Sequence, residues 1–334
     1  MPATIDDVAA LAGVSTATVS RALRGLPNVA VATREKVQRA ADLLDYVADP
    51  AASALAAGRT ATLGLVVPGM GRWAHARMLE VVQDRAGAAG YDVLPVTLAS
   101  AAAREFFLTR HPFRRRVDGL VVAEVPLDGA ELLRLGEGRP VAAIGLDAPE
   151  VDTVVADDAR GIAEATTHLL SLGHVDIAFI GGGSSDARLV APAARRSAFT
   201  STLATAGIEE VVHRVVESQA SSTGGAAALS LLLDEVDPPT AVIVASDEMA
   251  LGAMEVARSR GLDLPGDLSV VGVDDQPVAQ FVGLTTVHRD VARMAARACD
   301  WVLERLDGSD VPARHEVVAT SLVKRGSTAP PRTR

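Results

Sequence analysis

The sequence is poor in several things, and each absence excludes something. Its 334 residues include a single cysteine, Cys299, so an intrachain disulfide framework and a multi-cysteine metal site are both ruled out. Aromatic residues make up 3% of the chain, so a binding site here must rely on hydrogen bonds and aliphatic contacts more than on ring stacking. No apolar run reaches the ~18 residues that a membrane-spanning helix needs. The N-terminus lacks the charged stretch followed by an apolar one that marks an export signal. A soluble, cytoplasmic protein is the expectation. There is also no Ser-His-Asp set, no metal-ligand cluster and no dinucleotide loop. The Gly-rich stretch at 181–193 lacks both the P-loop lysine and the G-x-G-x-x-G spacing and reads as a cleft-edge loop. No enzyme, no cofactor and no metal are therefore expected.

What is present is globular: 49% hydrophobic and 22% charged residues, in a chain long enough for two or three domains. The net charge of −10 is unevenly placed. Residues 1–60 balance six bases (Arg21, Arg24, Arg34, Lys36, Arg39, Arg59) against six acids (Asp6, Asp7, Glu35, Asp42, Asp45, Asp49). The remainder of the chain carries the whole excess. The N-terminal region is thus neutral, a weak electrostatic handle on a polyanion.

That region nevertheless carries the most informative stretch, TIDDVAALAGVSTATVSRALRG, Thr4 to Gly25. Thr4 and Asp7 have capping-box spacing, so a helix opens at Ile5. Ile5, Val8, Ala9 and Ala12 share one apolar face. Gly13 ends the helix by adopting a left-handed backbone. Ser15 caps a second helix from Thr16 to about Arg24. Val14, Val19 and Leu23 face the first helix, leaving Thr16, Ala17, Ser20, Arg21 and Arg24 outward. Short hydroxyls and arginines suit a DNA surface. A third helix, Thr33 to about Leu44, closes a small core with Val37, Ala40, Ala41 and Leu44. On these features alone, an ordinary helical hairpin remains an alternative.

The string DVAALAGVSTATVSRALRG closely resembles the headpiece of the lactose-repressor (LacI/GalR) family of bacterial transcription regulators. The match continues through PNVAVATREKVQRAADLLDYVADP, Pro27 to Pro50. The resemblance implies a helix-turn-helix headpiece over 1–46, with Thr16, Ala17 and Arg21 reading bases and Ser20, Asn28 and Thr33 contacting phosphates. Thr4, Ser15, Thr18 and Arg24 complete the expected DNA surface. For residues 47–60 it implies a hinge helix that wedges a leucine into the minor groove. Leu55 matches that leucine and Ala52 the small residue at the helix contact. Asp49-Pro50 and Ser53 depart from the usual residues there.

From Thr62 the texture turns to α/β. Strands are expected at 63–68, 91–98, 117–125, 141–146, 153–157, 175–182, 211–217, 240–246, 269–275 and 284–287. Helices are expected at 77–89, 159–172, 195–206, 223–235, 248–260 and 290–307. Strands linked by helices imply parallel, doubly wound sheets, and ten strands fit two subdomains better than one. The resemblance covers about 320 residues and implies an α/β periplasmic-binding-protein-like core over 61–329, built of two Rossmann-like subdomains. These span about 61–158 and 288–313, and about 159–286 and 315–329. Crossings are expected near 157–160, 286–289 and 312–316.

Ligands of such folds bind at the carboxyl ends of the strands. By resemblance, Arg195 matches the family's effector-binding arginine, Asp274 its aspartate, and Ser246-Asp247 the usual Asn-Asp pair. Asp247 also suits a helix N-cap. The family's paired aromatics after the first strand are replaced here by Arg72, Trp73, Ala74 and His75. Trp73 and Ala74 are kept as effector contacts, and His75 reads as a partly exposed helix residue. Gln219 stands where a further aromatic is usual.

The reading is a homodimeric repressor that binds pseudo-palindromic operator DNA in the nucleoid. It is gated by a small polar metabolite, a sugar or sugar derivative. Two rivals are a solute-binding protein of a transporter and an enzyme using the Asp274-Asp275 pair. The first lacks an export signal. In the second, adjacent strand residues point to opposite faces.

Overall fold

The computed structural model describes residues 3–23, 28–46, 59–110, 113–183, 186–208 and 214–332. The chain divides into a headpiece unit, residues 1–61 grouped with 115–117, and a core of residues 62–114 and 118–334. Arg24, Ala52 and Leu55, with most of the 47–60 segment, lie outside the described residues.

The headpiece packs three helices, α1 (Ile5–Ala12), α2 (Thr16–Leu23) and α3 (Val31–Leu43). The capping box at Thr4 forms as the spacing predicts: Asp7 N donates to Thr4 Oγ1 at 3.3 Å, and Thr4 N donates to Asp7 Oδ2 at 2.8 Å. Gly13 ends α1 at φ 60°, a left-handed backbone in which a Cβ would be strained. Val8, Ala12, Val19, Ala22, Val37, Ala40 and Ala41 are buried together, with Val14, Leu23 and Leu44 packed partly against them. The third helix starts two residues earlier than expected, at Val31.

The core contains two six-stranded sheets. The first has the order β11-β5-β4-β3-β1-β2, with every pairing parallel. Its strands are β1 (Thr62–Val67), β2 (Asp92–Thr97), β3 (Gly119–Ala123), β4 (Val141–Ile144), β5 (Asp152–Ala156) and β11 (His315–Val318). The second has the order β12-β10-β9-β8-β6-β7 and is parallel except for the β10–β12 pair. Its strands are β6 (Ile177–Gly181), β7 (Val215–Glu217), β8 (Ala241–Val244), β9 (Ser269–Asp274), β10 (Thr285–Arg289) and β12 (Thr320–Val323). The central strands are buried on both faces, which is why they read as continuous apolar runs rather than alternating ones. Each sheet has its own apolar core. Leu63, Val121, Ile144, Met294 and Trp301 belong to the first lobe, and Ile162, Phe179, Phe199, Ile243 and Met254 to the second.

The chain passes between lobes three times. It leaves β5 through Asp157 into helix Asp158–Ser171 of the second lobe, and returns from Arg289 into helix Val291–Leu306 of the first. It then crosses at Ala319, between β11 and β12. The third crossing was expected at 312–316, and the boundary moves because His315–Val318 pairs in parallel with β5 in the first sheet. Short, half-buried β11 and β12 carry too few apolar residues to announce themselves as strands. The helix expected to begin at Arg195 begins instead at Val190, so Arg195 and Arg196 lie within it.

Candidate DNA surface and interlobe cavity

On α2, Val19 and Ala22 point into the headpiece core, which turns Ala17 and Arg21 fully outward and leaves Thr16, Thr18 and Ser20 half-buried. Ser15 Oγ accepts from Thr18 N at 3.2 Å and lies 2.9 Å from the Thr18 hydroxyl, so these two side chains secure the start of the helix. Asn28 is exposed and Thr33 half-buried at the first turn of α3. The structure thus carries a short helix with a small, hydroxyl-bearing and cationic outer face. Such a face fits the major groove without steric bulk.

The core carries a cavity of about 320 Å³ between its two lobes. Its walls come from the carboxyl ends of strands, as expected for open parallel sheets. Pro68 follows β1, Glu124 and Pro126 follow β3, and Gly145 follows β4. Gly181, Glu217 and Arg289 end β6, β7 and β10, and Ala245 follows β8. Phe179, Leu189, Pro192 and Met249 make an apolar wall, and Arg72, His75 and Arg195 add polar groups.

Charge in this region is buried and closely paired. Arg195 donates through Nε to Asp158 Oδ1 at 2.7 Å and through Nη1 to the Ala245 carbonyl at 2.7 Å. Arg289, 2% exposed, donates to Asp274 Oδ1 at 3.0 Å and to Glu124 Oε1 at 3.3 Å, and its Nε lies 3.4 Å from Asp158 Oδ1. Burial alone would raise the Glu124 carboxyl. The His75 hydrogen bond and the charges of Arg289, His75 and Arg72 outweigh it and hold the group well below the usual carboxylate range. For Arg289 burial disfavours the charge, yet Asp158, Glu124 and Asp274 together raise its pKa.

Of the seven expected effector contacts, Arg195 lines the cavity and the others lie elsewhere. The Trp73 ring packs on the first lobe's core, while its backbone N–H donates across the lobes to Glu248 Oε1 at 2.7 Å. Ala74 is buried in that same core, because one helical turn carries it inward. Gln219 is exposed, beside the lining residues Glu217 and Ala220. Ser246 is the N-cap of helix Asp247–Ser259, accepting from Met249 N at 3.3 Å. Asp247, which reads as that cap, is instead the first helical residue and is fully buried. Its carboxylate accepts from Gln276 N at 2.7 Å and Thr286 Oγ1 at 2.6 Å. Burial first, then the Asp274 charge, pushes it up to about 8. Asp274 faces Arg289 rather than the cavity.

Three lining residues that the sequence does not mark as contacts, His75, Glu124 and Arg289, carry most of the charge pairing here. His75, taken as partly exposed, is 1% exposed; its Nδ1 lies 2.7 Å from the Gly69 carbonyl and its Nε2 lies 3.1 Å from Glu124 Oε2. Glu124 sat inside the expected 117–125 strand, but β3 stops at Ala123 and Glu124 turns left-handed at φ 54°. Arg289 ends a strand whose expected limit was 287. Among the described residues no His/Cys/Asp/Glu group could hold a metal ion, and no helix is long and apolar enough to cross a membrane.

The profile for bacterial regulatory proteins of the lacI family matches residues 4–49, and that for a periplasmic binding protein-like domain matches residues 166–328. The HTH-type transcriptional regulator reg1 of Streptomyces lividans is 35% identical, covering 98% of this chain and 97% of its own. The lactose operon repressor of Escherichia coli (strain K12) is 30% identical over 99% and 92% of the two chains. Among solved structures, a lac repressor dimer bound to operator and the anti-inducer ONPF superposes with a TM-score of 0.86 at 28% identity, covering 98% of this chain and 100% of that one. The transcriptional regulator CelR–cellobiose complex gives 0.72 at 30% identity, over 97% and 99%.

Proposed function

This chain belongs to the LacI family of bacterial regulatory proteins, and on that footing we propose that a small polar metabolite in the interlobe cavity gates its grip on DNA. It is a DNA-binding transcription regulator, not an enzyme, and it engages operator DNA as a dimer in answer to a small-molecule effector. The effector is a sugar or sugar derivative held chiefly by hydrogen bonds, and the regulator works as a repressor in the cytoplasm. The supporting observation is the cavity itself: both lobes wall it, Phe179 lends it a phenyl ring, and Arg195 and Arg289 anchor its second-lobe side. A ligand seated there touches both lobes at once, so its binding energy differs between open and closed arrangements, as coupling to a distant site requires. Thr16, Ala17 and Arg21 read bases, with Ala17 limited to apolar contact such as a thymine methyl. Two headpieces on a pseudo-palindromic site supply the affinity that one neutral headpiece lacks.

The test is fluorescence anisotropy of a labelled duplex from upstream of the protein's own gene, titrated with and without pooled sugars and small metabolites. Salt-sensitive binding that one pool alters supports a ligand-gated regulator. Specific binding that no pool of a broad panel changes counts against the gating.

A further inference from the structure

The residue that ties the cavity wall to the chain crossing is Glu124. Arg289 is the last residue of β10, and the next residue, Asp290, caps helix Val291–Leu306 by accepting from Arg293 N at 2.9 Å. Arg289 therefore sits at the middle passage between lobes. Two of its carboxylate partners, Asp274 and Asp158, belong to the second lobe. Arg195, also of that lobe, shares Asp158. Two cations and two anions already balance there, so neutralising Arg289 does not by itself explain Glu124.

Glu124 comes from the first lobe, and its two oxygens face different ways. Oε1 takes Arg289 Nη2, and Oε2 takes His75 Nε2, whose ring borders the cavity. The backbone is shaped around this placement. Glu124 holds a left-handed φ of 54°, unfavourable for a residue with a Cβ, while its N–H donates to the Ile144 carbonyl at 2.9 Å. Opposite it stands Gly145 at φ 74°, where a Cβ would come within 3.2 Å of Glu124 Cγ. A conformational cost on one strand end and a glycine on the next both serve to admit this one side chain.

We propose that Glu124 is a positioning residue that holds the two lobes at their set angle. It grips Arg289 at the crossing with one oxygen and senses the cavity wall through His75 with the other. A cavity ligand that draws on His75 loosens or tightens the grip on Arg289. This last step rests on the effector-gated reading. The hold on the lobes does not, and it is what the experiment measures.

Thiol labelling tests it in the full chain without any ligand. Cys299 is fully buried in the first lobe's core, and burial pushes its thiol up to about 12. Its reaction with N-ethylmaleimide reports unfolding. A second thiol placed in the cavity wall by Ala245→Cys reports opening of the lobes. Adding Glu124→Gln should speed labelling at position 245 about tenfold, since a buried cation has lost one counter-charge, and leave Cys299 labelling unchanged. Glu124→Asp, charged but one methylene shorter, should fall between. Parallel acceleration at both thiols would reduce Glu124 to a general stabilising residue and overturn the proposal, as would no acceleration at either. Ala220→Cys on the same cavity serves if the 245 variant does not fold. Loss of effector gating in the anisotropy experiment would leave these labelling ratios untouched.

Discussion

The headpiece and the core solve opposite problems with the same residue types. In the headpiece, polar side chains face outward from a core of small aliphatics, and Arg21 and Ala17 are exposed. In the core, Arg195, Arg289, Asp158 and Asp274 are turned inward and form buried ion pairs with one another. A surface that must read a foreign molecule leaves its side chains exposed, and a pivot that must hold an angle buries them. The difference predicts where a substitution is felt: as lost recognition in one region, as lost structure in the other.

Removing the cation at the pivot should break the comparison most severely. Arg289→Met leaves Glu124, Asp158 and Asp274 facing each other without their shared partner. We expect a loss of about 3–5 kcal/mol in urea unfolding, the usual cost of stranding buried charge. A loss below about 1 kcal/mol would mean the cluster behaves like a surface pair.

Asp247 sharpens the contrast through pH. Burial, with the Asp274 charge, pushes its carboxyl from the ordinary aspartate range up to about 8 in the folded chain. The folded state thus keeps a proton that the unfolded state releases. Its contribution to stability is whole at low pH, declines as pH rises across that window, and is gone above about 8, with a slope of up to about 1.4 kcal/mol per pH unit. Asp247→Asn should flatten the slope, which denaturation at pH 5, 6.5 and 8 would reveal. An unchanged slope would assign it to other groups.

The headpiece should respond without any change in core stability. Arg21→Ala is expected to cost about 1–3 kcal/mol in operator affinity if it reads a base, with the core melting transition unmoved. Equal weakening on specific and random duplexes would demote it to a phosphate contact. The smallest effect belongs to Thr4→Ala, which removes the side-chain half of the capping box at α1. About 1 kcal/mol of local stability should go, visible as faster hydrogen exchange in α1 and nowhere in the core.

Legibility followed the same divide. The headpiece was readable because its signals are local: a cap three residues from its partner, a glycine at the turn, an apolar face at helical spacing. The two-lobed α/β architecture was also readable, since its central strands are continuous apolar runs. The cavity was not. Trp73 and Ala74 are expected as contacts from the family's paired aromatics after the first strand, and helical phase carries them onto the first lobe's core instead. Asp247 and Asp274 stand at strand and helix ends as expected, but each is drawn to a partner distant in sequence, Thr286 and Arg289. Glu124 was hidden in an apolar run, because nothing short-range announces that a strand stops one residue before a carboxylate with a left-handed backbone. Pairing across 165 positions leaves no mark in spacing.

The crossing at Ala319 has a consequence for how the molecule is made. Within nine residues, His315 to Val323, the chain supplies the edge strand β11 to one sheet and β12 to the other. Neither lobe is finished until this short stretch leaves the ribosome, however early the remaining strands are synthesised. A chain interrupted before His315 would bare the flanks of β5 and β10 together, two open strand edges ready to pair with other chains. Truncated products would therefore be recognisable as defective in both halves at once, and the cell would have clearance targets rather than half-active regulators.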